Sequence, residues 1–326
     1  MLVLGLMGSP RKKGNTDFLL STFMDEAENL GAQTKIIAVD KKKIKPCKEY
    51  TVCEKTGFCP IDDDMMHDVY PLLREADVIA AATPIFFYST TAQLKALIDR
   101  CQSLWARKYR LKLTDPGRKY RSGFLLALGA TKGKNLFNGI TLTAKYFFDA
   151  VGAKYQGSLT YRRIENIGDM KRHPTVVNDI KEAVQTLLKP FLGRKRLLFT
   201  CLENACRSQM ASVFAQFIAG DKFEVLCGGS SPAKKINPVM VKVMEEKGID
   251  MAFRSPKSIQ EAVSGVKPDR IISMGCDENC LFIPDVKIEN WGIPNPEGKS
   301  IDIMRNVRDE IEQRVLRFIG KDLPPA

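Results

Sequence analysis

The segment "RLLFTCLENACRSQMASVFAQF" (196–217) joins an apolar run to a helical pattern through a short loop that carries two cysteines. The apolar run at 196–202 predicts a buried strand, and the pattern over 207–219 predicts a helix. A strand that passes directly into a helix is a basic unit of α/β proteins. Because the segment starts well past the middle of the chain, we expect a complete domain in front of it.

The loop inside this segment has the spacing of an oxyanion-binding site. Cys201 and Arg207 are separated by five residues, and Ser208 follows. A loop of this length that closes onto a helix N-terminus turns backbone N–H groups toward a tetrahedral anion, and the arginine adds a two-pronged donor. The same positive field favours an attacking thiolate, and Ser208 can donate to its sulfur. We call the five intervening residues the oxyanion loop: Leu202, Glu203, Asn204, Ala205 and Cys206.

The residues before this segment alternate strand-like and helix-like runs. Continuous apolar strands separated by amphipathic helices indicate a parallel sheet covered on both faces. The predicted strands are 2–8, 34–39, 78–87, 123–129 and 153–161, and the predicted helices are 16–30, 64–76, 91–105, 136–151 and 175–189.

A second, smaller α/β domain is predicted behind a linker-like stretch that contains Pro190 and Gly193. After 196–202 and 207–219, its predicted strands are 223–229 and 270–275, and its predicted helices are 238–248 and 302–319. We therefore predict the domains 1–193 and 194–326, each a parallel sheet covered by helices.

The composition is that of a globular protein, with 44% hydrophobic and 27% charged residues. No stretch has the length of a membrane span or the order of a secretory signal, so we predict a cytoplasmic protein without a membrane partner. The net charge of +12 favours anionic ligands. The sequence has no basic motif interleaved with aromatic residues, which is the pattern that indicates nucleic-acid binding. The basic stretch 107–121 is predicted to be a solvated loop.

The stretch "GSPRKKGNT" (8–16) follows the first predicted strand and opens the first helix. Its glycines permit close backbone approach, its basic and polar side chains can donate, and the helix N-terminus presents free N–H groups. The stretch therefore predicts a phosphate cradle, although a capped strand–helix turn explains the same residues. The candidates are Ser9, Arg11, Lys12, Gly14, Asn15 and Thr16.

Two further loops are expected at the carboxyl edge of the same sheet, where ligands bind in such folds. The stretch "TPIFFYSTTAQLKALIDR" (83–100) offers an apolar and aromatic wall, and "GATKG" (129–133) offers backbone groups that can reach a planar ring. A phosphate cradle with two ring-contacting loops is what FMN requires. The ring candidates are Pro84, Ile85, Phe86, Phe87, Tyr88, Ser89, Ala130, Thr131, Lys132 and Gly133.

On these motifs, residues 1 to about 190 resemble the NAD(P)H-dependent FMN reductases and iron–sulfur flavoproteins. The resemblance implies a flavodoxin-like fold, bound FMN, NADPH or NADH as electron donor, and a homodimer. Iron–sulfur members carry four closely spaced cysteines, whereas "IKPCKEYTVCEKTGFCPIDDDM" (44–65) has Cys47, Cys53 and Cys59, with Tyr50 where the other would stand. Because a cubane cluster normally takes four thiolates, we expect no metal here and keep a three-cysteine cluster as the minority interpretation.

Residues 195–326 resemble the low-molecular-weight protein tyrosine phosphatases and the thioredoxin-coupled arsenate reductases of the same fold. The residues "RSQMA" (207–211) are similar to the reductase version, because phosphatases usually have proline directly after the serine. The resemblance assigns attack to Cys201, displacement of the product to Cys276 and resolution of the disulfide to Cys280. The last two lie in "IISMGCDENC" (271–280). Relatives carry an aspartate as general acid before a proline, where this chain has Asn295.

The two resemblances together predict a flavin-dependent arsenate reductase, in which FMN recharges the cysteine relay and thioredoxin is an alternative reductant. Nine cysteines in a chain without a secretory signal fit redox chemistry better than a disulfide framework. Two other functions stay open. One is a phosphatase fused to a flavin reductase. The other is a flavin or quinone reductase whose second domain binds oxyanions without turnover.

Overall fold

The computed structural model describes the backbone of residues 1–275, 283 and 285–322. Its chain forms two compact units: Met1–Lys112 with Gly117–Leu192, and Leu113–Pro116 with the described residues from Gly193 onward. The short segment joins the second unit through Thr114, which forms a parallel bridge with Ile249 and donates its N–H to Gly248 O at 2.7 Å. The domain boundary at 193 remains a prediction.

The first unit is a five-stranded parallel sheet in the order β2-β1-β3-β4-β5. This strand order is the flavodoxin-like one, so the predicted fold class is confirmed. Its strands are β1 (Leu2–Met7), β2 (Gln33–Ala38), β3 (Val78–Pro84), β4 (Ser122–Gly129) and β5 (Lys154–Arg162). Its helices are α1 (Asn15–Asn29), α2 (Val52–Thr56), α3 (Tyr70–Glu75), α4 (Ala92–Arg100), α5 (Gln102–Tyr109), α6 (Asn138–Ala150), α7 (Asp169–Arg172) and α8 (Val176–Leu188).

The core of the first unit follows from its apolar periodicity. In α1, Leu19, Leu20 and Phe23 are buried at helical spacing, so one stripe of the helix faces the sheet. Ile180 and Val184 of α8 join the same cluster. The middle strands β1 and β3 are buried along almost their whole length, which explains their continuous apolar runs.

The second unit is a four-stranded parallel sheet in the order β7-β6-β8-β9 with helices packed against it, as predicted for a low-molecular-weight phosphatase-like fold. Its strands are β6 (Lys195–Cys201), β7 (Phe223–Gly229), β8 (Arg270–Ser273) and β9 (Lys287–Asn290), and its helices are α9 (Arg207–Ala219), α10 (Pro238–Glu245), α11 (Ile259–Ala262) and α12 (Ile301–Asp322). Phe199, Phe214 and Ile311 lie in its core. No helix in the described part of the chain combines the length and apolar character needed to cross a membrane.

Several predicted elements end differently in the structure, as three cases illustrate. The strand predicted at 78–87 stops at Pro84, because Phe86 and Ser89 exchange two backbone hydrogen bonds in a turn. The helix predicted at 64–76 begins with a π-helical turn at Met65–Val69, and that predicted at 91–105 divides into α4 and α5 at Cys101.

The prediction of a solvated loop over 107–121 is wrong. Arg107 and Arg121 are only 1% and 2% exposed. The guanidinium of Arg107 lies over the Phe58 ring at 4.8 Å, and that of Arg121 donates to backbone carbonyls, among them Ala76 O at 2.8 Å. A guanidinium can be buried when its donors meet acceptors in this way. Charge counting alone does not reveal such partners.

Candidate functional site

The oxyanion loop lies at the carboxyl edge of the second sheet. Strand β6 pairs with β7 on one side and β8 on the other, and it ends at Cys201. Helix α9 begins at Arg207, so a central strand and a buried helix fix both ends of the loop. Parallel sheets bind ligands at this edge, as the strand–loop–helix pattern predicted.

The carbonyl groups of this segment accept hydrogen bonds from the neighbouring segment 230–237. Its backbone donors are Ser230 to Cys201 O (3.3 Å), Ser231 to Leu202 O (2.8 Å), Ala233 to Glu203 O (2.9 Å) and Asn237 to Ala205 O (2.9 Å). In a trans peptide the next N–H points opposite to the carbonyl. The N–H groups that follow these carbonyls therefore point away from segment 230–237, and that of Asn204 meets Cys201 Sγ at 3.2 Å. N–H groups turned to the side of the nucleophile are the arrangement that binds an oxyanion.

Two residues make the tight course of the loop feasible. Asn204 has a φ of +50°, a left-handed conformation that asparagine tolerates better than most residues. Gly229 lies directly against the loop, where a Cβ atom would meet Leu202 O at 2.6 Å and Asn204 N at 2.8 Å. The close packing of β7 on the loop therefore depends on glycine.

The sulfur of Cys201 is surrounded by hydrogen-bond donors. Cys201 is 3% exposed. Its Sγ lies 3.0 Å from Ser208 Oγ and accepts the Asn204 N–H at 3.2 Å. Such donors stabilise negative charge on sulfur, so the structure brings three predicted site residues together in the way a thiolate nucleophile requires.

Arg207 lies beside the loop with one end of its guanidinium anchored. Its Nη1 donates to Ile293 O at 2.8 Å and to Met274 O at 3.2 Å. No described residue bonds to its Nε or Nη2. These contacts hold the plane of the guanidinium and leave its other donors for an anion.

The remaining thiols of the second unit have different surroundings. Burial raises the pKa of Cys206 to about 12, and its Sγ lies 3.4 Å from Met304 Sδ. Cys206 is therefore a neutral thiol near pH 7, and a supporting role in the loop fits it. Cys227 is half-buried on β7. The predicted relay residues Cys276 and Cys280 lie outside the described residues.

Asn295, the residue at the general-acid position, is exposed, and its Oδ1 accepts the Glu297 N–H at 3.3 Å. Its side chain therefore closes a local turn. An amide cannot donate a proton to a leaving oxygen, so Asn295 does not replace the aspartate chemically.

Sequence reasoning missed a polar cluster beneath the oxyanion loop. Gln209 and Arg254 connect to the side chain of Asn204 through hydrogen bonds of 2.8–3.1 Å. Spacing could not reveal Arg254, because it lies 45 positions from Gln209 and only the fold brings it there.

In the first unit, the predicted cradle lies where β1 and β3 end. Gly8 donates its N–H to Ala82 O at 2.7 Å, and Thr91 Oγ1 donates to Gly8 O at 2.5 Å. Ser9 Oγ accepts the Arg11 N–H at 3.2 Å. Thr91 was not predicted as a site residue, but it ties the turn after β1 to the loop after β3.

The N-terminus of α1 presents donors suited to a phosphate. Its cap is Gly14, which supplies no side-chain acceptor, so the first-turn N–H groups of Asn15 and Thr16 are not capped by it. Arg11 and Lys12 are exposed beside this turn. The N–H groups and the two cations suit a phosphate monoester such as that of FMN.

The side chain of Asn15 was predicted to donate to the phosphate, but it bonds to another segment of the first unit. Its Nδ2 donates to Asn166 O at 2.8 Å, and its Oδ1 accepts the N–H groups of Gly168 at 3.1 Å and Met170 at 3.2 Å. The side chain thus fastens the 166–170 segment, and its backbone N–H remains for an anion.

The predicted ring wall is present as an exposed aromatic turn. Phe87 is fully exposed, and Phe86 and Tyr88 are each 52% exposed. A Cβ atom on Gly133 would meet Tyr88 Oη at 3.2 Å, so the segment 130–133 lies against this turn. Exposed aromatic rings next to a small-residue loop fit a planar ligand such as isoalloxazine.

The three cysteines of the segment 44–65 differ in their exposure. Cys47 is exposed, Cys53 and Cys59 are half-buried, and no group of three or more potential ligands is arranged to hold a metal in the part of the chain described. Burial, then the charges of Cys59 and Cys47, raise the pKa of Cys53.

A buried ion pair fastens the end of this segment. Arg100 Nη1 lies 2.6 Å from Asp63 Oδ2, and their side chains are 0% and 3% exposed. Arg100 also donates to Lys45 O at 2.9 Å and Ile61 O at 3.1 Å. The segment is therefore held at both ends by one guanidinium.

The two units match different protein families. Residues 1–126 match the model of the NADPH-dependent FMN reductases, and residues 196–324 match that of the low molecular weight phosphotyrosine protein phosphatases. An iron–sulfur flavoprotein of Archaeoglobus fulgidus is 40% identical over 33% of this chain and 54% of its own length. The chain thus spans about half the length of the iron–sulfur flavoproteins it matches.

The curated arsenate reductases that match the second unit are covered over more than nine tenths of their length. Arsenate reductase 2 of Staphylococcus haemolyticus is 34% identical over 39% of this chain and 98% of its own length. The solved thioredoxin-dependent arsenate reductase of Corynebacterium glutamicum is 25% identical over 46% of this chain and 76% of that chain, with a TM-score of 0.35.

Proposed function

The chain belongs to the arsenate reductase family, and on that basis we propose that it is a flavin-dependent arsenate reductase, with electrons passing from NAD(P)H through FMN to a cysteine relay. The observation that carries the proposal is the oxyanion loop around Cys201, with inward N–H groups and Ser208 Oγ 3.0 Å from the sulfur. The attached FMN reductase-like unit supplies the reason for the flavin. A homodimer remains a prediction.

The first step is the attack of the Cys201 thiolate on arsenate. An arsenic–sulfur bond forms and one arsenate oxygen leaves as water after protonation. The loop N–H groups and the Nε and Nη2 donors of Arg207 stabilise the negative oxygens, which is the usual means by which such loops lower a barrier. Ser208 and the Asn204 N–H hold charge on the sulfur before the attack.

The second step requires further thiols. Cys276 attacks the sulfur of Cys201, a disulfide forms, and the electron pair of the arsenic–sulfur bond stays with arsenic, which leaves as arsenite. Cys280 then attacks Cys276 and frees Cys201, and the Cys276–Cys280 disulfide awaits two electrons. Both relay residues lie outside the described residues, so their roles rest on the family resemblance.

The first unit supports FMN binding by its chemistry. The uncapped N-terminus of α1, with Arg11 and Lys12, would hold the phosphate, and the aromatic turn at 86–88 with 130–133 would hold the ring. Bound FMN supplies the transfer of two electrons from a nicotinamide to an acceptor. Tethering the two units raises the effective concentration of donor and acceptor to roughly millimolar.

A phosphatase is the second candidate, because the family model over 196–324 is that of phosphatases. Asn295 argues against it, since a tyrosyl leaving group needs a proton that an amide cannot supply. A flavin or quinone reductase with a non-catalytic oxyanion unit is the third candidate.

Purified protein supplied with FMN, NADPH and arsenate, without thioredoxin, tests the proposal. We expect arsenate-dependent NADPH oxidation that Cys201→Ser and Cys276→Ser abolish, while the thiol control Cys101→Ala, at a buried cysteine outside the proposed site, retains most of it. Hydrolysis of p-nitrophenyl phosphate without arsenate turnover would instead support a phosphatase. Flavin reduction with neither activity would support the third candidate, and turnover only after thioredoxin is added would contradict the flavin route.

A further inference from the structure

We propose that Arg254 and Gln209 are positioning residues, which hold the hydrogen of the Ser208 hydroxyl on the sulfur of Cys201. They begin a series of hydrogen bonds, the hydrogen-bond chain, that runs through Asn204 to Ser208. In each of these bonds the donor and the acceptor are fixed. The inference rests on the proposed role of Cys201 as the attacking thiolate.

The direction is set at Arg254, because a guanidinium can only donate. Its Nε donates to Gln209 Oε1 at 2.8 Å. The amide nitrogen of Gln209 must then face the other way, where it donates to Asn204 Oδ1 at 3.1 Å and to Ser255 O at 3.2 Å.

The same logic continues through Asn204, which is completely buried. Its Oδ1 also accepts the backbone N–H of Lys257 at 2.9 Å, so its nitrogen faces Ser208 and donates to Oγ at 2.8 Å. Ser208 Oγ accepts that bond and lies 3.0 Å from Cys201 Sγ, a contact in which either atom could donate. When Cys201 is a thiolate, only the hydroxyl has a hydrogen to give, so Ser208 then donates to the sulfur.

Arg254 is itself held in place. Ser212 Oγ donates to Gln209 O at 2.9 Å and accepts from Arg254 Nη2 at 3.0 Å, while Cys227 Sγ lies 3.9 Å from the same Nη2. Helix α9 and strand β7 therefore fix the first link, and a partly buried cation lies behind the loop.

Other charged groups lie on the loop side of the site. Burial raises the pKa of the Cys206 thiol, and the charges of Cys201, Arg207, Glu297 and Glu203 also act on it. Beneath the loop, Arg254 and Cys227 are ionisable groups in contact with each other, and Lys257 joins the network through its backbone N–H. The test therefore has to separate the hydrogen-bond chain from simple charge.

The test follows the rate of iodoacetamide alkylation of Cys201 against pH in the full-length protein, with the Cys201 peptide quantified by mass spectrometry. Gln209→Met breaks the chain but keeps the charge of Arg254, whereas Arg254→Met removes both. Asn204→Gly keeps the left-handed backbone and serves as the reference for a broken chain. Arg305→Met, which removes an exposed partner of Glu246, is the matched control for losing a cation.

We expect Gln209→Met and Arg254→Met to raise the pH midpoint of Cys201 alkylation by about half to one unit. Below the midpoint, this is equivalent to roughly 3- to 10-fold slower alkylation. Arg254→Lys should restore part of the rate, and the control should match the unmodified protein. Unchanged midpoints in both variants would overturn the proposal, as would a shift in Arg254→Met alone, which would indicate charge without the chain. Because alkylation uses no arsenate, failed arsenate turnover leaves this result interpretable.

Discussion

The hydroxyl oxygen of Ser208 lies 3.0 Å from the sulfur of Cys201, although the two residues belong to different elements. Cys201 ends β6, and Ser208 lies in the first turn of α9. The contact closes the oxyanion loop at its base. It also connects the nucleophile to the buried polar cluster around Asn204, so the properties of the sulfur depend on packing behind the loop.

Replacing Ser208 by alanine should slow turnover. A hydrogen bond to a charged group contributes about 1.5–3 kcal/mol, so we expect kcat/KM for arsenate to fall by about 10- to 100-fold. Steady-state NADPH oxidation measures the change. The exposed Ser264→Ala is the matched control. A Ser208→Ala enzyme with activity within twofold of the unmodified protein would contradict a role for this contact.

Gly229→Ala should damage the oxyanion loop without affecting the flavin unit. The added Cβ would lie 2.6 Å from Leu202 O, so loop backbone must move. We expect phosphate, a non-reducible analogue of arsenate, to bind at least about 10-fold more weakly by calorimetry, with FMN binding unchanged. In Gly320→Ala, nothing lies within 4 Å of the added atom, and phosphate binding should stay normal.

Alkaline pH should destabilise the second unit through Cys206. Burial raises the pKa of its thiol from 9.0 to about 12, so the unfolded chain loses this proton at lower pH than the folded protein does. The contribution to stability is complete below about pH 9 and is lost as the pH rises toward 12. Urea denaturation measures the free energy of unfolding at pH 8 and pH 10. Between these values Cys206→Ala should lose less of it than the unmodified protein does, and an equal loss would assign the effect to other groups.

Asp63→Asn should destabilise the first unit strongly. Removing one partner of a buried pair leaves an uncompensated charge on Arg100, at a cost of about 3–5 kcal/mol. The exposed pair Lys95–Asp99 provides the control, since Asp99→Asn should cost about 0.5 kcal/mol or less. Urea unfolding followed by circular dichroism measures both, and equal costs would contradict the distinction.

The same ion pair predicts acid sensitivity. Burial alone would raise the pKa of Asp63, but hydrogen bonds from Arg100 and backbone N–H groups lower it below its ordinary 3.8. The pair therefore stabilises the fold at neutral pH, and that contribution is lost as the pH falls below about 4. The Asp63→Asn protein should lose less stability between pH 5 and pH 3 than the unmodified protein.

Sequence patterns predicted most of both sheets because buried parallel strands are continuously apolar. The last strand, Lys287–Asn290, was missed because it is a fully exposed edge strand with the polar sequence KIEN. Arg107 and Arg121 were predicted to be solvated but are buried. A basic stretch gives no sign of the backbone carbonyls and aromatic rings that its guanidinium groups contact in the fold.

The amino-acid sequence by itself determined the two α/β units, the oxyanion loop with Cys201, Arg207 and Ser208, and the flavin-type loops, because these features consist of local spacing and hydrophobic period. Only the tertiary structure decided that Asn15 fastens a neighbouring loop with its side chain and that Gln209 and Arg254 lie behind the nucleophile. Hydrogen bonds between residues distant in the chain depend on which segments the fold brings within 3 Å. Local patterns carry no information about that distance.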